Sequence, residues 1–270
     1  VYGILTQVPI GELFIAGILP GIVAAIMYAG TAITWAWLRP QDAPRQTERS
    51  TWRERFQSLT LLARPAILIF IVLGGIYSGI TTTTEAAGVG ALAALVMLLT
   101  TPGATRESVF VSLRAAVSIS AMIMVIVIGA TIFSKFIAVG GLPFLLVDFF
   151  KSLGMSGSAV AVIFLLLIVV MGCFLESNAI LFLTLPFLAP VLHALNVDMI
   201  WFGVLMCISI EIGLVTPPVG FNIYVMQAIF KECRLRDIVV GSCIFLGGAV
   251  ATTILVFYFP SLATWLPAMM

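Results

Sequence analysis

Two short polar stretches interrupt otherwise apolar sequence, and both carry groups able to hold an ion or an organic acid. The first is Glu176-Ser177-Asn178, set between the apolar runs Ala159 to Leu175 and Ala179 to Leu195. The second is EIGLVTPPVGFN, Glu211 to Asn222, inside the apolar segment Ile200 to Phe230. Burying a carboxylate in such surroundings is costly, so Glu176 and Glu211 are candidates for a functional site; the plainer reading puts each at an interface or in an internal hydrogen bond. The carbonyls of Gly172, Gly213 and Val219 and the hydroxyls of Ser177 and Thr216 are chemically apt for a hard monovalent cation such as Na⁺. The amides of Asn178 and Asn222, with half-helix N-termini, suit an anionic carboxylate. His193, the single histidine, reads as an interfacial polar residue rather than a proton carrier.

These groups need elements that bring them together. Pro217 and Pro218 remove two backbone donors and bias the residues before them toward extended conformations, while Gly213 and Gly220 permit unusual dihedrals. The spacing predicts two half-helices separated by unwound backbone. Within a membrane such backbone survives only when it is buried in protein or lines a cavity, and transporters hold ions and substrates there. The Glu176 to Asn178 tip is compatible with two full spans joined by a turn, or with a re-entrant hairpin ending at membrane depth. Either returns the chain to the side it left. Pro186 and Pro190 interrupt the second run.

Composition places the whole chain in a bilayer: 61% hydrophobic and 9% charged residues, with a mean hydropathy of +1.20. This is an all-α polytopic membrane protein by pattern. Residue 1 is Val, no signal peptide is visible, and the chain reads as part of a longer protein. Ile10 to Leu38 is a span that Pro20, following Gly17, can kink. Arg39 to Ser58 is a polar loop with Arg39, Arg45, Arg49, Arg53 and Arg55 against Asp42, Glu48 and Glu54. Pro65 to Gly79 is the next span, and a threonine near Glu85 caps the helix Ala86 to Leu99, whose small residues permit close helix packing. Val109 to Ile132 spans again, and Leu142 to Leu153 is an amphipathic helix expected at the interface. Ile238 to Phe259 is the last span. With the Arg39 to Ser58 loop in the cytoplasm, eleven of the 13 Lys and Arg lie on that side, with Lys135 and Lys151 opposite, and the C-terminus is outside.

Other chemistries find little support. Cys173, Cys207, Cys233 and Cys243 are scattered, without a paired or His-associated spacing, and read as packing. No nucleophile–base pair, HExxH or phosphate loop is present, so no catalytic residues are assigned and an enzyme is not expected.

GGIYSGITTTTEAAGVGAL at Gly74 to Leu92, GCFLESNAILFLTLPFLAPVL at Gly172 to Leu192 and EIGLVTPPVGFN at Glu211 to Asn222 resemble, in order and spacing, the large membrane (M) subunit of tripartite ATP-independent periplasmic (TRAP) transporters. The resemblance covers the whole chain. It implies an elevator-type transporter with scaffold helices, a re-entrant helical hairpin and a broken helix, of which this chain carries the second inverted repeat of two. Residues 1–9 would end the first repeat. Residues 10–132 would be scaffold with the cytoplasmic loop 39–58, and 133–157 an interfacial connection. Residues 158–230 would be the transport region, with hairpin 158–195 and broken helix 198–230, and 231–270 the final span and C-terminus. The implied Na⁺ site uses Gly172, Gly213, Thr216 and Val219, with Glu176, Ser177 and Asn178 facing the substrate path; Pro217, Pro218 and Asn222 are assigned to that path too. Thr83 stands where the family often has proline, and Asn178 where it often has threonine.

The expected function is Na⁺-coupled import of an organic acid, a C4-dicarboxylate, sialic acid or similar carboxylate, across the bacterial inner membrane. The expected partners are a small four-helix membrane subunit and a periplasmic substrate-binding protein; no cofactor is expected beyond the coupling ion. The competing readings are a channel or uncoupled scaffold subunit, and an intramembrane enzyme using Glu176 or Glu211.

Overall fold

In the computed structural model every regular element among the described residues is helical. The structure describes residues 1–41, 51–101, 103–230 and 232–269, with 54–61 and 64 described by their backbone alone. Asp42, Arg45, Glu48, Arg49 and Lys231, used above for topology, therefore lie outside the described residues. In chain order the helices are α1 (Tyr2–Thr6), α2 (Ile10–Ala16), α3 (Ile18–Leu38), α4 (Trp52–Tyr77), α5 (Thr83–Leu99), α6 (Arg106–Val139) and α7 (Leu142–Ser152). They continue with α8 (Gly157–Gly172), α9 (Ser177–Ala194), α10 (Met199–Val215), α11 (Phe221–Ile229), α12 (Leu235–Tyr258) and α13 (Ser261–Thr264), and a 3₁₀ turn covers Pro267–Met269. The chain divides into two compact units, Val1–Pro40 with Ile126–Met270, and Gln41–Val125.

In the larger unit α10 is the central element. Its sequence is apolar on all sides, the pattern of a helix surrounded by others, and Phe202, Leu205 and Met206 are fully buried. It packs on α8, α12, α9 and α2. Two side-chain bonds fasten its N-terminal end: Tyr2 Oη donates to the Met199 carbonyl at 2.7 Å, and Trp201 Nε1 donates to the Val256 carbonyl of α12 at 2.9 Å. Gly203 makes room for the Tyr2 ring, because a Cβ there would stand 2.8 Å from it. Asp198 caps α10 through the amides of Ile200 and Trp201. The short α1 and the terminal α13 had no counterpart in the sequence reading. Both are too brief to show a helical period.

The span Ile10–Leu38 is interrupted at Gly17 rather than bent at Pro20. Pro20 falls in the first turn of α3, where a missing amide costs nothing. α12 lies on α3, and Tyr28 and Phe245 meet edge-on at 6.2 Å. In α7, Pro143, Val147 and Phe150 form one buried face while Asp148 and Lys151 are exposed. The predicted amphipathic helix is thus present, although Phe144, Leu145 and Phe149 are exposed as well.

In the smaller unit α4 packs against α5, with Val72 seated over Gly90. α4 begins at Trp52, inside the segment expected to be a polar loop to Ser58, and carries Pro65 internally instead of starting there. Good helix formers through Arg53 to Ala63 extend the helix past its apolar part, and hydropathy alone misses that extension. α5 begins with a capping box: the Thr82 hydroxyl accepts from the Glu85 amide, and the Glu85 carboxylate accepts from the Thr82 amide at 2.8 Å. Thr83 sits at the first helical position, so the cap is complete without a proline.

Ile10–Leu38, Arg106–Val139, Ser177–Ala194 and Leu235–Tyr258 are long and apolar enough to cross a membrane. Along α6, Phe110, Val117, Val125 and Phe136 are each exposed by more than two-thirds. Replacing Thr82 with alanine removes half of the capping box and is expected to cost about 1 kcal/mol. The check is thermal unfolding of the purified protein in detergent against Thr82→Ser, which should match the wild type.

Candidate functional site

Both interrupted stretches fold as the residue types dictate. α8 ends at Gly172 and α9 starts at Ser177, with Glu176 as its N-cap: the carboxylate accepts from the Ala179 amide at 3.4 Å and from Asn178 Nδ2 at 2.6 Å. α8 and α9 pack against each other as a hairpin. With 16 residues, α8 is about 24 Å long at the usual rise, short of the roughly 30 Å of a bilayer core. In the second stretch α10 ends at Val215, residues 216–220 are unwound, and α11 starts at Phe221. The Pro217–Pro218 peptide is cis, and Gly220 adopts the left-handed region at φ 57°. A Cβ at Gly220 would also meet the Thr216 carbonyl at 3.1 Å, so glycine is required twice over.

The two breaks lie side by side. α8 and α10 cross at Gly172 and Gly213, where the backbones touch: a Cβ on Gly172 would be 2.8 Å from the Cα of Gly213, and one on Gly213 would be 2.7 Å from the Val169 carbonyl. The Gly220 amide then donates to the Cys173 carbonyl at 3.1 Å. Each helix end leaves backbone groups without intrahelical partners, and here an orphan acceptor of α8 meets an orphan donor of α11. Sequence reasoning took Cys173 for packing and missed this bridge. The available signal was its place one residue past the last glycine of α8.

Around the crossing the oxygen atoms are part used and part free. The Thr216 hydroxyl donates to the Ile212 carbonyl, which spends its proton and leaves its lone pairs available. The Gly213 carbonyl accepts from the Thr216 amide at 3.0 Å and keeps one lone pair. Gly172 and Gly213 are buried, Thr216 and Ser177 half-buried, and Val219 39% exposed. Pro217 and Pro218 are exposed. Two members of the expected substrate path, Glu176 and Asn178, bond to each other at the hairpin tip. Asn222 donates instead to Glu211 at 3.2 Å. His193 is exposed and borders a polar cavity of about 200 Å³ with Gln7, Ser134 and Pro190. Among the described residues no group of three or more His, Cys, Asp or Glu is placed to hold a metal ion.

A family model described as "Tripartite ATP-independent periplasmic transporter, DctM component" matches residues 1–262. The chain is 33% identical over 259 residues to the C4-dicarboxylate TRAP transporter large permease protein DctM of Rhodobacter capsulatus, covering 96% of this chain and 58% of that protein. It is 31% identical over 230 residues to the sialic acid TRAP transporter large permease protein SiaM of Vibrio cholerae, covering 85% and 53%. With the ectoine TRAP transporter large permease protein TeaC of Halomonas elongata it shares 30% identity over 269 residues, covering 98% and 62%. The chain therefore spans a little over half the length of these curated relatives.

The glycine crossing makes a stability prediction. Gly172→Ala and Gly213→Ala each drive a methyl into neighbouring backbone and should cost about 1–3 kcal/mol. Gly241→Ala, in α12 with nothing within 4 Å of the added Cβ, should be neutral or stabilise by up to about 1 kcal/mol. Thermal unfolding in detergent separates the two cases, and equal loss at all three positions would refute the contact.

Proposed function

The chain belongs to the DctM component family of tripartite ATP-independent periplasmic transporters, and we propose that it carries the part of a large permease that couples Na⁺ entry to uptake of an organic acid. It is a multi-pass membrane protein, and its named relatives are permeases rather than enzymes. The reading rests on one observation above all, the junction of two helix breaks at Gly172, Gly213, Cys173 and Gly220. Unwound backbone held beside a hairpin end is the arrangement in which secondary transporters bind ions at mid-membrane.

In this proposal the carbonyls of Gly172, Gly213 and Val219 and the hydroxyls of Thr216 and Ser177 hold Na⁺. Thr216 suits the role because its hydrogen is already engaged with Ile212 and its oxygen is turned into an acceptor. The organic acid is received at the hairpin tip by Ser177 and Asn178, near Pro217 and Pro218, with the N-terminus of α9 adding a favourable field for its carboxylate. Glu176 orients Asn178 through their 2.6 Å bond. Relatives are named for C4-dicarboxylates, sialic acid and ectoine, and a carboxylate is common to all three substrate classes. The remaining parts of the proposal are the bacterial inner membrane as location, a periplasmic C-terminus, and a small membrane subunit and a periplasmic binding protein as partners. Transport would proceed by movement of the hairpin region against the scaffold helices.

The test is uptake by the intact assembly reconstituted in liposomes, with the Na⁺ gradient as the variable. Uptake should require inward Na⁺. Thr216→Ala should raise the half-saturating Na⁺ concentration by about tenfold, the equivalent of about 1.4 kcal/mol for one ligand, and Thr216→Ser should stay near wild type. Flux that continues without a Na⁺ gradient would favour a channel and overturn the coupled reading.

A further inference from the structure

The break in the α10–α11 segment is tied on two sides. On the side of α8 the Gly220 amide reaches the Cys173 carbonyl. The second tie is Asn222 Nδ2 donating to Glu211 Oε1 at 3.2 Å. Glu211 belongs to α10 and Asn222 is the second residue of α11, so this bond joins the two half-helices directly. Glu211 lies about 200° around α10 from Gly213, and its side therefore faces away from the glycine crossing. There it borders a cavity of about 80 Å³ shared with Tyr28 of α3 and Ser242 and Phe245 of α12.

α11 needs such a tie. It has 9 residues, and its N-cap Gly220 offers no side chain to the first turn; a helix this short is marginal unless other contacts hold it. The amide of Asn222 stands at that first turn, where an organic acid would otherwise find a donor, and it gives one of its two N–H groups to the carboxylate across the break. The carboxylate in turn accepts through Oε1 on the side away from the crossing. Between the two tied residues lie Gly213, Thr216 and Val219, whose oxygens the cation reading uses.

We infer that Glu211 and Asn222 form a strut that sets the separation of α10 and α11 and so places the oxygens of residues 213–219. Both are positioning residues, and neither is a ligand of the cation or of the organic acid. The inference rests on the cation reading given above and replaces the expectation that Asn222 contacts the substrate. A neutral acceptor is enough for a strut, so glutamine at 211 can do the work of glutamate.

The experiment is Na⁺ titration of uptake by the intact assembly in liposomes. Asn222→Ala should raise the half-saturating Na⁺ concentration by about three- to tenfold, with the half-saturating organic-acid concentration at saturating Na⁺ unchanged. Asn222→Ser is the second variant should the alanine protein fail to purify as a single species. Glu211→Gln should stay within about twofold of wild type, Glu211→Ala should match Asn222→Ala, and the double alanine variant should be no worse than either single one. Three results would overturn the strut: an unshifted Asn222→Ala, a Glu211→Gln as impaired as Glu211→Ala, or additive single effects. A selective rise in the organic-acid value for Asn222→Ala would do so as well, by making Asn222 a substrate ligand. Those outcomes presuppose a Na⁺-dependent wild type. Wild-type uptake indifferent to Na⁺ instead overturns the cation reading itself, and the strut with it.

Discussion

Backbone contact between Gly172 and Gly213 decides how closely α8 and α10 approach, and the geometry of both helix breaks follows from that approach. In lipid, two apolar helices gain little from hydrophobic association, since acyl chains are as apolar as leucine; what remains is close packing and hydrogen bonding between backbones. A pair of glycines supplies the first and permits the second. With any side chain at either position the helices would stand further apart, and the Cys173 carbonyl would no longer reach the Gly220 amide at 3.1 Å. One donor of the unwound backbone, the Gly220 amide, is thereby satisfied by a neighbouring helix end rather than by water.

The rest of the larger unit holds this crossing in register. α10 is fastened at its N-terminal end by Tyr2 and Trp201, and its middle is filled by Phe202, Leu205 and Met206. Only toward Glu211 does the helix become polar. The apolar body therefore acts as a rigid mount, and the last turn and the segment beyond it carry the groups of the proposed site. The same division appears in α9, where the polar tip at Glu176 to Asn178 leads into a buried apolar face that includes Leu185, Leu188 and Leu192.

Much of this was legible in the residue order because the signals are local. Two adjacent prolines with glycine on either side can end a membrane helix in few ways, and α10 and α11 separate where those residues demand. The Thr82–Glu85 cap follows from a spacing of three. The start of α4 at Trp52 was not legible, because hydropathy marks where a helix enters lipid and not where it begins in water. Nor was the partner of Asn222. That residue and Glu211 are set face to face by the angle between two half-helices, and this angle depends on unwound backbone whose path no periodicity encodes. Likewise Gly172 and Gly213 could be named as oxygen donors, while their mutual contact needed the fold.

The bond from Gly220 to Cys173 carries a mechanical consequence beyond satisfying two backbone groups. One point of contact between two rods is a pivot about which each can turn. Here there are two, the glycine crossing and, just beyond the end of α8, that bond. Together they form a splice, in which rotation is resisted along with separation. The end of α8 and the start of α11 are thereby held as a single piece.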